Sequence, residues 1–230
     1  MKTIGLIGGM SWESSLEYYR IINEEVKSRL GGLHSAECLM YSFDFAEIED
    51  LQMKDDWDTA TQRMIQAAQQ IERGGGECIV ICTNTMHKMA DAVQNAVDIP
   101  LLHIADATAQ AIQASQLETI GLLGTRFTME HDFYKGRIIN NFGLNVRIPD
   151  DADRDTVHQI IYDELVIGDI RDDSRVAYQA IINKLQADGA EGVILGCTEI
   201  GLLIKADDSP IPVYDTTYLH AVSAVDWALS

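Results

Sequence analysis

Residues 75–85 read Gly-Gly-Glu-Cys-Ile-Val-Ile-Cys-Thr-Asn-Thr and residues 189–199 read Gly-Ala-Glu-Gly-Val-Ile-Leu-Gly-Cys-Thr-Glu, two copies of one pattern 114 residues apart. In both, an acid precedes a short β-branched apolar run, and small hydroxyl, thiol or amide side chains follow it. Such a run is expected to be a buried parallel strand that carries polar groups to its carboxyl edge. The copies extend further. Thr3-Ile4-Gly5-Leu6-Ile7-Gly8 returns as Thr119-Ile120-Gly121-Leu122-Leu123-Gly124, and Ile99-Pro100-Leu101-Leu102 returns as Ile211-Pro212-Val213-Tyr214, at offsets of 116 and 112. Matches in one order with a slowly drifting offset indicate a duplicated domain, with halves at 1–116 and 117–230. The C-terminal segment is free to pack back on the first half.

Within each half, apolar runs alternate with amphipathic stretches. Ile4–Ile7, Cys38–Phe43 and Cys78–Ile81 are read as strands, with helices over Ser11–Leu30, Thr59–Arg73 and from Asn84. The second half gives strands at Thr119–Leu123, Asn145–Ile148 and Val193–Leu195, with helices at Thr128–Phe142, Asp153–Val166 and Ser174–Asp188. This alternation predicts an α/β fold: two pseudo-symmetric domains, each a parallel sheet flanked by helices. Ligands of such sheets bind outside the carboxyl ends of the strands. Thr83 and Cys197, opposite each other in the repeat, both fall there, and pseudo-symmetry would bring them to one interdomain cleft.

Charge and cysteine content narrow the function. A net charge of −19 repels phosphate backbones and anionic lipid, so neither nucleic acid nor membrane is an expected partner. No apolar stretch approaches the roughly 20 residues needed to span a bilayer, and the chain enters a strand without a secretory leader pattern, so a cytoplasmic location is expected. Cys38, Cys78, Cys82 and Cys197 fit no disulfide framework or zinc spacing. Reduced thiols and no metal are expected.

Three motifs carry the chemistry. Gly5-Leu6-Ile7-Gly8-Gly9-Met10-Ser11 lacks the dinucleotide spacing and is either a structural tight turn or a small-anion cradle built on backbone N–H groups. Thr83-Asn84-Thr85 and Cys197-Thr198-Glu199 each open a helix. Alone, either is an ordinary N-cap. As a duplicated pair, they suit a carboxylate held between two helix N-termini.

These residues resemble the aspartate/glutamate racemase family over essentially the whole chain. The resemblance lies in Gly8-Gly9-Met10-Ser11-Trp12-Glu13-Ser14, Asp44-Phe45-Ala46-Glu47-Ile48, Thr83-Asn84-Thr85-x-His87 and Gly196-Cys197-Thr198-Glu199. It implies a two-domain α/β fold, often a homodimer, and racemisation without a cofactor by two cysteines on opposite faces of a small amino-acid substrate. It implies Thr83 and Cys197 as the catalytic pair. It also implies Met10, Gln52, Asn84, Thr85, Thr198 and Glu199 around the substrate, with Thr125, which matches Gly9 in the repeat. His87 is a general acid by resemblance or a hydrogen-bonded structural residue.

A thiol suits α-proton removal because its pKa near 8.5 can be tuned downward at a helix N-terminus. The first family cysteine, however, is Thr83 here, and a hydroxyl passes on a proton but is a poor base. By resemblance Cys197 deprotonates L-substrates and the Thr83 side reprotonates, with D-enantiomers slow or inert. Cys82, one residue early, points to the other strand face and pairs with Gly196 in the repeat, so it is read as core. Aspartate or glutamate is the family expectation. Only Lys54 and Arg171 are basic in the segments expected to meet the substrate side chain, with Arg126 and Lys135 further off, so a neutral side chain such as homoserine's is also compatible. A one-thiol decarboxylase of the arylmalonate type and a non-catalytic binder of small anions are the alternatives.

Overall fold

The computed structural model describes the whole chain, Met1–Ser230, and divides into two compact units, residues 1–103 with 220–230 and residues 104–219. The first contains β1 (Ile4–Gly8), α1 (Trp12–Leu30), β2 (Cys38–Ser42), α2 (Phe45–Met53), α3 (Trp57–Arg73), β3 (Cys78–Ile81), a 3-10 helix at Thr85–Met89, α4 (Ala90–Gln94) and β4 (Leu101–Leu102). The second contains α5 (Ile104–Ala114), β5 (Thr119–Gly124), α6 (Arg126–Glu130), α7 (Asp132–Phe142), β6 (Asn145–Arg147), α8 (Asp151–Asp163), α9 (Asp172–Ala187), β7 (Gly192–Gly196), α10 (Ile200–Leu203) and β8 (Val213–Asp215). A last helix, α11 (Thr216–Leu229), begins in the second unit and ends in the first.

Each unit holds a four-stranded, all-parallel sheet, in the order β2-β1-β3-β4 and β6-β5-β7-β8. The repeated sequences are the inner pair and the strand beside it in each sheet. The repeated acid has the same task in both: Thr3 N–H donates to Glu77 Oε2 at 2.7 Å, and Glu118 and Thr119 N–H donate to Glu191 Oε2 at 2.8 and 2.9 Å. Those amide bonds hold the Glu191 carboxyl below its usual range. The unit boundary falls at residue 103 instead of 116 because α5 packs against α7 and β8 of the second unit.

The alternation of side chains along a strand fixes what each sheet face buries. Ile4 and Leu6 of β1, with Cys78, Val80 and Cys82 at β3, meet Tyr18, Ile22 and Val26 of α1 and Ala221, Ala224, Val225 and Ala228 of α11. Ile7, Ile79 and Ile81 face the other way, onto Met64, Ala67, Ala68 and Ile71 of α3. A Cβ on Gly5 would fall 2.2 Å from Ile71 Cγ2, so glycine there lets α3 lie directly on the sheet. In the second unit Ile120, Leu122, Val193 and Leu195 share one core with Tyr134, Ile161, Tyr178 and Ile182.

Helix ends follow their caps. Ser11, Asp44, Asp56 and Asp150 accept backbone N–H bonds at the starts of α1, α2, α3 and α8, and Gly31 ends α1 at φ +73°. Two expectations change. The single helix expected over 128–142 is broken where His131 takes an extended conformation (φ −81°, ψ 153°). The helix expected from Asn84 is instead a 3-10 turn followed by the short α4.

Candidate active site

Apart from Gln52, on α2, the candidate residues of both units follow the carboxyl ends of the two central strands. Ile7 pairs with Ile81 and Gly124 with Gly196, so the chain after β1 runs beside the chain after β3, and Thr125 beside Cys197.

In the first unit the Gly8-Gly9-Met10-Ser11 turn is tightly knit. Gly9 has φ +82°, and a Cβ there would meet Phe43 O at 2.3 Å and Phe43 N at 2.4 Å. Its N–H donates to Ser15 Oγ at 2.8 Å, and that hydroxyl donates to Ser11 O at 2.9 Å. This amide is therefore committed within the turn, which favours the tight-turn reading over an anion cradle. Met10 is buried in the core shared by Ile7 and Met86. Gln52, on α2, donates from Nε2 to Met86 Sδ at 3.2 Å.

The two candidate side chains just past β3 differ in burial. Cys82 is fully buried, and its thiol is pushed well up by desolvation. Thr83 is partly exposed, between buried Cys82 and buried Asn84 and Thr85. Asn84 sits at φ −73°, ψ −47° and makes no capping bond through its side chain. Glu199, in the equivalent place before α10, makes none either. Neither triplet is thus explained by helix capping. The helices they open are a 3-10 turn and four residues of α-helix, too short for a substantial macrodipole, so an anion there would rest on individual N–H groups more than on a helix dipole.

The second triplet is wired together. Cys197 Sγ donates to Glu199 Oε2 at 2.9 Å, and Thr198 Oγ1 donates to the same oxygen at 2.8 Å. All three residues are buried, Glu199 to 3% exposure. The expected lowering of the thiol pKa is reversed. Burial and the adjacent Glu199 carboxylate push Cys197 well up, overcoming the Glu199 and Thr198 backbone N–H groups that favour the thiolate. Glycines bring the strand ends together, since a Cβ on Gly196 would lie 2.7 Å from Leu123 O. Thr125 uses its hydroxyl at the start of α6, accepting from Thr128 N at 3.3 Å.

The candidate cations are engaged elsewhere. Lys54 pairs with Asp50 at 2.6 Å, Arg171 with Asp169 at 2.6 Å, Arg126 with Glu130 at 3.0 Å, and Lys135 donates to Glu130 O at 2.9 Å. Sequence reasoning passed over Lys88, whose Nζ lies 3.7 Å from the Trp57 ring centroid and whose pKa burial lowers. It also passed over Tyr18, His103 and His220, which gather around His87. No local motif marks Tyr18, His103 or His220, which come from well-separated parts of the chain.

The family model for Asp/Glu/hydantoin racemases matches residues 7–224. A candidate Asp/Glu racemase from Yersinia pestis is 56% identical, with a TM-score of 0.93 and complete coverage of both chains. An aspartate racemase homologue from Pyrococcus horikoshii OT3 is 34% identical with a TM-score of 0.86, again over both whole chains. The broad specificity amino-acid racemase RacX of Bacillus subtilis is 23% identical over 230 residues, covering 99% of this chain and 98% of that protein. The chain therefore belongs to the Asp/Glu/hydantoin racemase family and is an isomerase of the amino-acid racemase class.

Proposed function

We propose that the protein racemises amino acids without a cofactor, with Cys197 working on the L-face and Thr83 on the opposite face. The hydrogen bond from Cys197 Sγ to Glu199 Oε2 carries this reading. A buried thiol that must become a base needs an acceptor for its own proton. When that proton moves to Glu199, the thiolate forms without adding charge to the buried pair. Cys197 then takes the α-proton, leaving a planar carbanion stabilised by donors around its carboxylate, a role assigned to Asn84, Thr85 and Thr198. Thr83 donates its hydroxyl proton to the far face and regains one from water, while Glu199 returns its proton to water. Protons balance over the cycle.

The unlike pair makes the two faces unequal, in a way thermodynamics limits. Enantiomers have equal free energy, so kcat/KM for inversion must be the same in both directions. The asymmetry falls instead on α-hydrogen exchange: Cys197 exchanges an L-substrate quickly with retention, whereas a D-substrate waits for the poor base on the Thr83 side. Neutral and medium-sized side chains are the better substrates, because Lys54 and Arg171 are already paired with surface carboxylates. Aspartate and glutamate remain substrates by family, and the homologue RacX is itself named for broad specificity.

The mechanism needs a reduced Cys197, and all four cysteines are free, which suits a cytoplasmic enzyme. A homodimer is the working assembly, supported by Trp12, Leu16, Tyr19 and Met40, which are exposed together around one groove. Light scattering tests it.

The deciding experiment follows α-hydrogen exchange and inversion by NMR in D2O with L- and D-homoserine, aspartate and glutamate. Wild type should exchange L-substrates faster than it inverts them, Cys197→Ala should do neither, and Thr83→Cys should speed inversion and exchange from the D-side. Absence of exchange from every amino acid, or equal exchange of both enantiomers, rejects the reading.

A further inference from the structure

We propose that His87 is a positioning residue for Thr83, held by a buried clamp of Tyr18, His220 and the Leu102 carbonyl. The inference rests on the reading that Thr83 delivers the proton that completes inversion.

Four polar rings are removed from water in the first unit: Tyr18 and His220 at 0% exposure, His87 at 2% and His103 at 7%. None has a part in the chemistry above. His87 Nδ1 lies 2.7 Å from Thr83 O. A carbonyl only accepts, so Nδ1 carries the proton and donates. His220 Nε2 lies 2.7 Å from Leu102 O and is protonated for the same reason. In the neutral ring His220 Nδ1 then accepts from the Tyr18 hydroxyl, 2.8 Å away. These bonds fix His220 between α1 and β4. The His87 ring packs against it, with centroids 5.7 Å apart, and against His103 at 4.5 Å.

The consequence falls on the two peptides that flank Thr83. Residues 82–84 form a bend between β3 and the 3-10 turn, joined to the sheet by Cys82 N–H donating to Ile7 O at 2.9 Å and to the turn by His87 N–H donating to Asn84 O at 3.1 Å. The preceding carbonyl, Cys82 O, accepts from Ser14 Oγ at 3.1 Å, and the following one, Thr83 O, accepts from His87. With both peptides pinned, the Cα–Cβ direction of Thr83 is set, and a β-branched side chain has few χ1 wells left. Proton delivery to one face depends on such placement, and misplacement of about 1 Å can cost roughly a hundredfold. His87 thus acts through the backbone of Thr83 and touches no substrate.

The test separates the two faces of the reaction. Exchange with retention on an L-substrate uses the Cys197 side alone, whereas inversion also needs Thr83. His87→Leu removes the donor. His87→Asn keeps it, because the Asn amide nitrogen can occupy the place of Nδ1. We expect His87→Leu to lower inversion of L-homoserine or L-aspartate in D2O about tenfold to a hundredfold while changing exchange less than threefold, and His87→Asn to restore inversion. Should His87→Leu fail to fold, His87→Gln, whose longer side chain misplaces the donor, replaces it in the comparison with Asn. Equal loss of exchange and inversion, no loss of inversion, or an Asn variant as impaired as Leu overturns the positioning role. Wild type without exchange would instead overturn the racemase reading on which it rests.

Discussion

Replacing Glu199 by Gln tests the chemistry of the thiol more sharply than removing the thiol. Gln keeps the volume and an acceptor oxygen near Cys197 Sγ, now 2.9 Å from Glu199 Oε2, but cannot take the proton. An ordinary thiol with pKa near 8.5 is only a few per cent ionised at pH 7, and each further unit upward costs tenfold in thiolate. Cys197 is raised well above the ordinary value by burial first and by Glu199 second. If Glu199 acts as the thiol's base, Glu199→Gln should lower exchange on L-substrates by about 10² to 10⁴, the usual contribution of a placed base. Inversion should fall equally, because carbanion formation precedes both outcomes. The pH profile gives the sign. In the variant, exchange should rise about tenfold per pH unit beyond the ordinary thiol range, since only hydroxide and water remain to ionise Cys197. Wild type should vary less around neutrality.

A purely electrostatic account predicts the opposite. If the carboxylate only opposes the thiolate, its neutralisation lowers the thiol pKa and raises the rate. The assay is deuterium exchange into L-homoserine and L-aspartate between pH 6 and 10, with thermal unfolding to confirm the fold. Exchange in Glu199→Gln at or above the wild-type rate near pH 7 refutes the proton-acceptor argument.

Other outcomes follow from the same geometry. Cys82→Ala should leave exchange and inversion intact, because the side chain is buried on the core face of β3; an effect as large as that of Cys197→Ala would place the working thiol wrongly. Gly9→Ala forces a left-handed residue against Phe43 O at 2.3 Å and should destabilise by about 2–4 kcal/mol in urea unfolding; an unchanged midpoint contradicts the turn geometry. Burial raises Cys78 to about 12 and Cys82 further, so the folded chain keeps protons that the unfolded chain releases above about pH 8.5. Stability should hold below that pH and fall as pH rises towards 12, by about 1.4 kcal/mol per unit for each thiol, and the fall should lessen in Cys82→Ala. Lys54→Ala with Arg171→Ala should leave KM unchanged for acidic and neutral substrates alike; a rise confined to aspartate and glutamate assigns them to the distal carboxylate.

The parts of the molecule that the sequence discloses are those where backbone geometry admits few residues. The inner strands are such places, since each is covered on both faces and ends in small side chains, and the duplication survives there and in β4 and β8 beside them. The strands at the opposite edge of each sheet, β2 and β6, are less constrained and carry no detectable repeat. Period two along β3 was enough to read Cys82 as core, where it packs with Ile4, Leu6 and Val80. The helix α2 was missed because its signal is a single cap, Asp44, ahead of nine residues with only Ile48 and Gln52 buried. The direction of the Cys197 shift was misjudged for an energetic reason. Proximity to a helix start is visible in sequence, but desolvation depends on the surrounding core, which is not. His220 shows the same limit at longer range, since nothing near residue 220 announces a partner at Tyr18 or a ring at His87.

What duplication contributes, then, is one backbone device used twice: a strand end that presents one side chain from a fixed bend. In the second unit that side chain is a thiol with a carboxylate 2.9 Å away, and in the first it is a hydroxyl whose following carbonyl is held by an imidazole 2.7 Å away. In the proposed mechanism the two supports differ in kind because the two side chains have different needs. A buried base needs somewhere to send its proton. A weak acid that only donates needs to be aimed. Exchanging Thr83 for Cys without supplying a proton acceptor should therefore give a second thiol that speeds exchange from the D-side less than Cys197 does from the L-side, and equal rates would show that aim alone suffices.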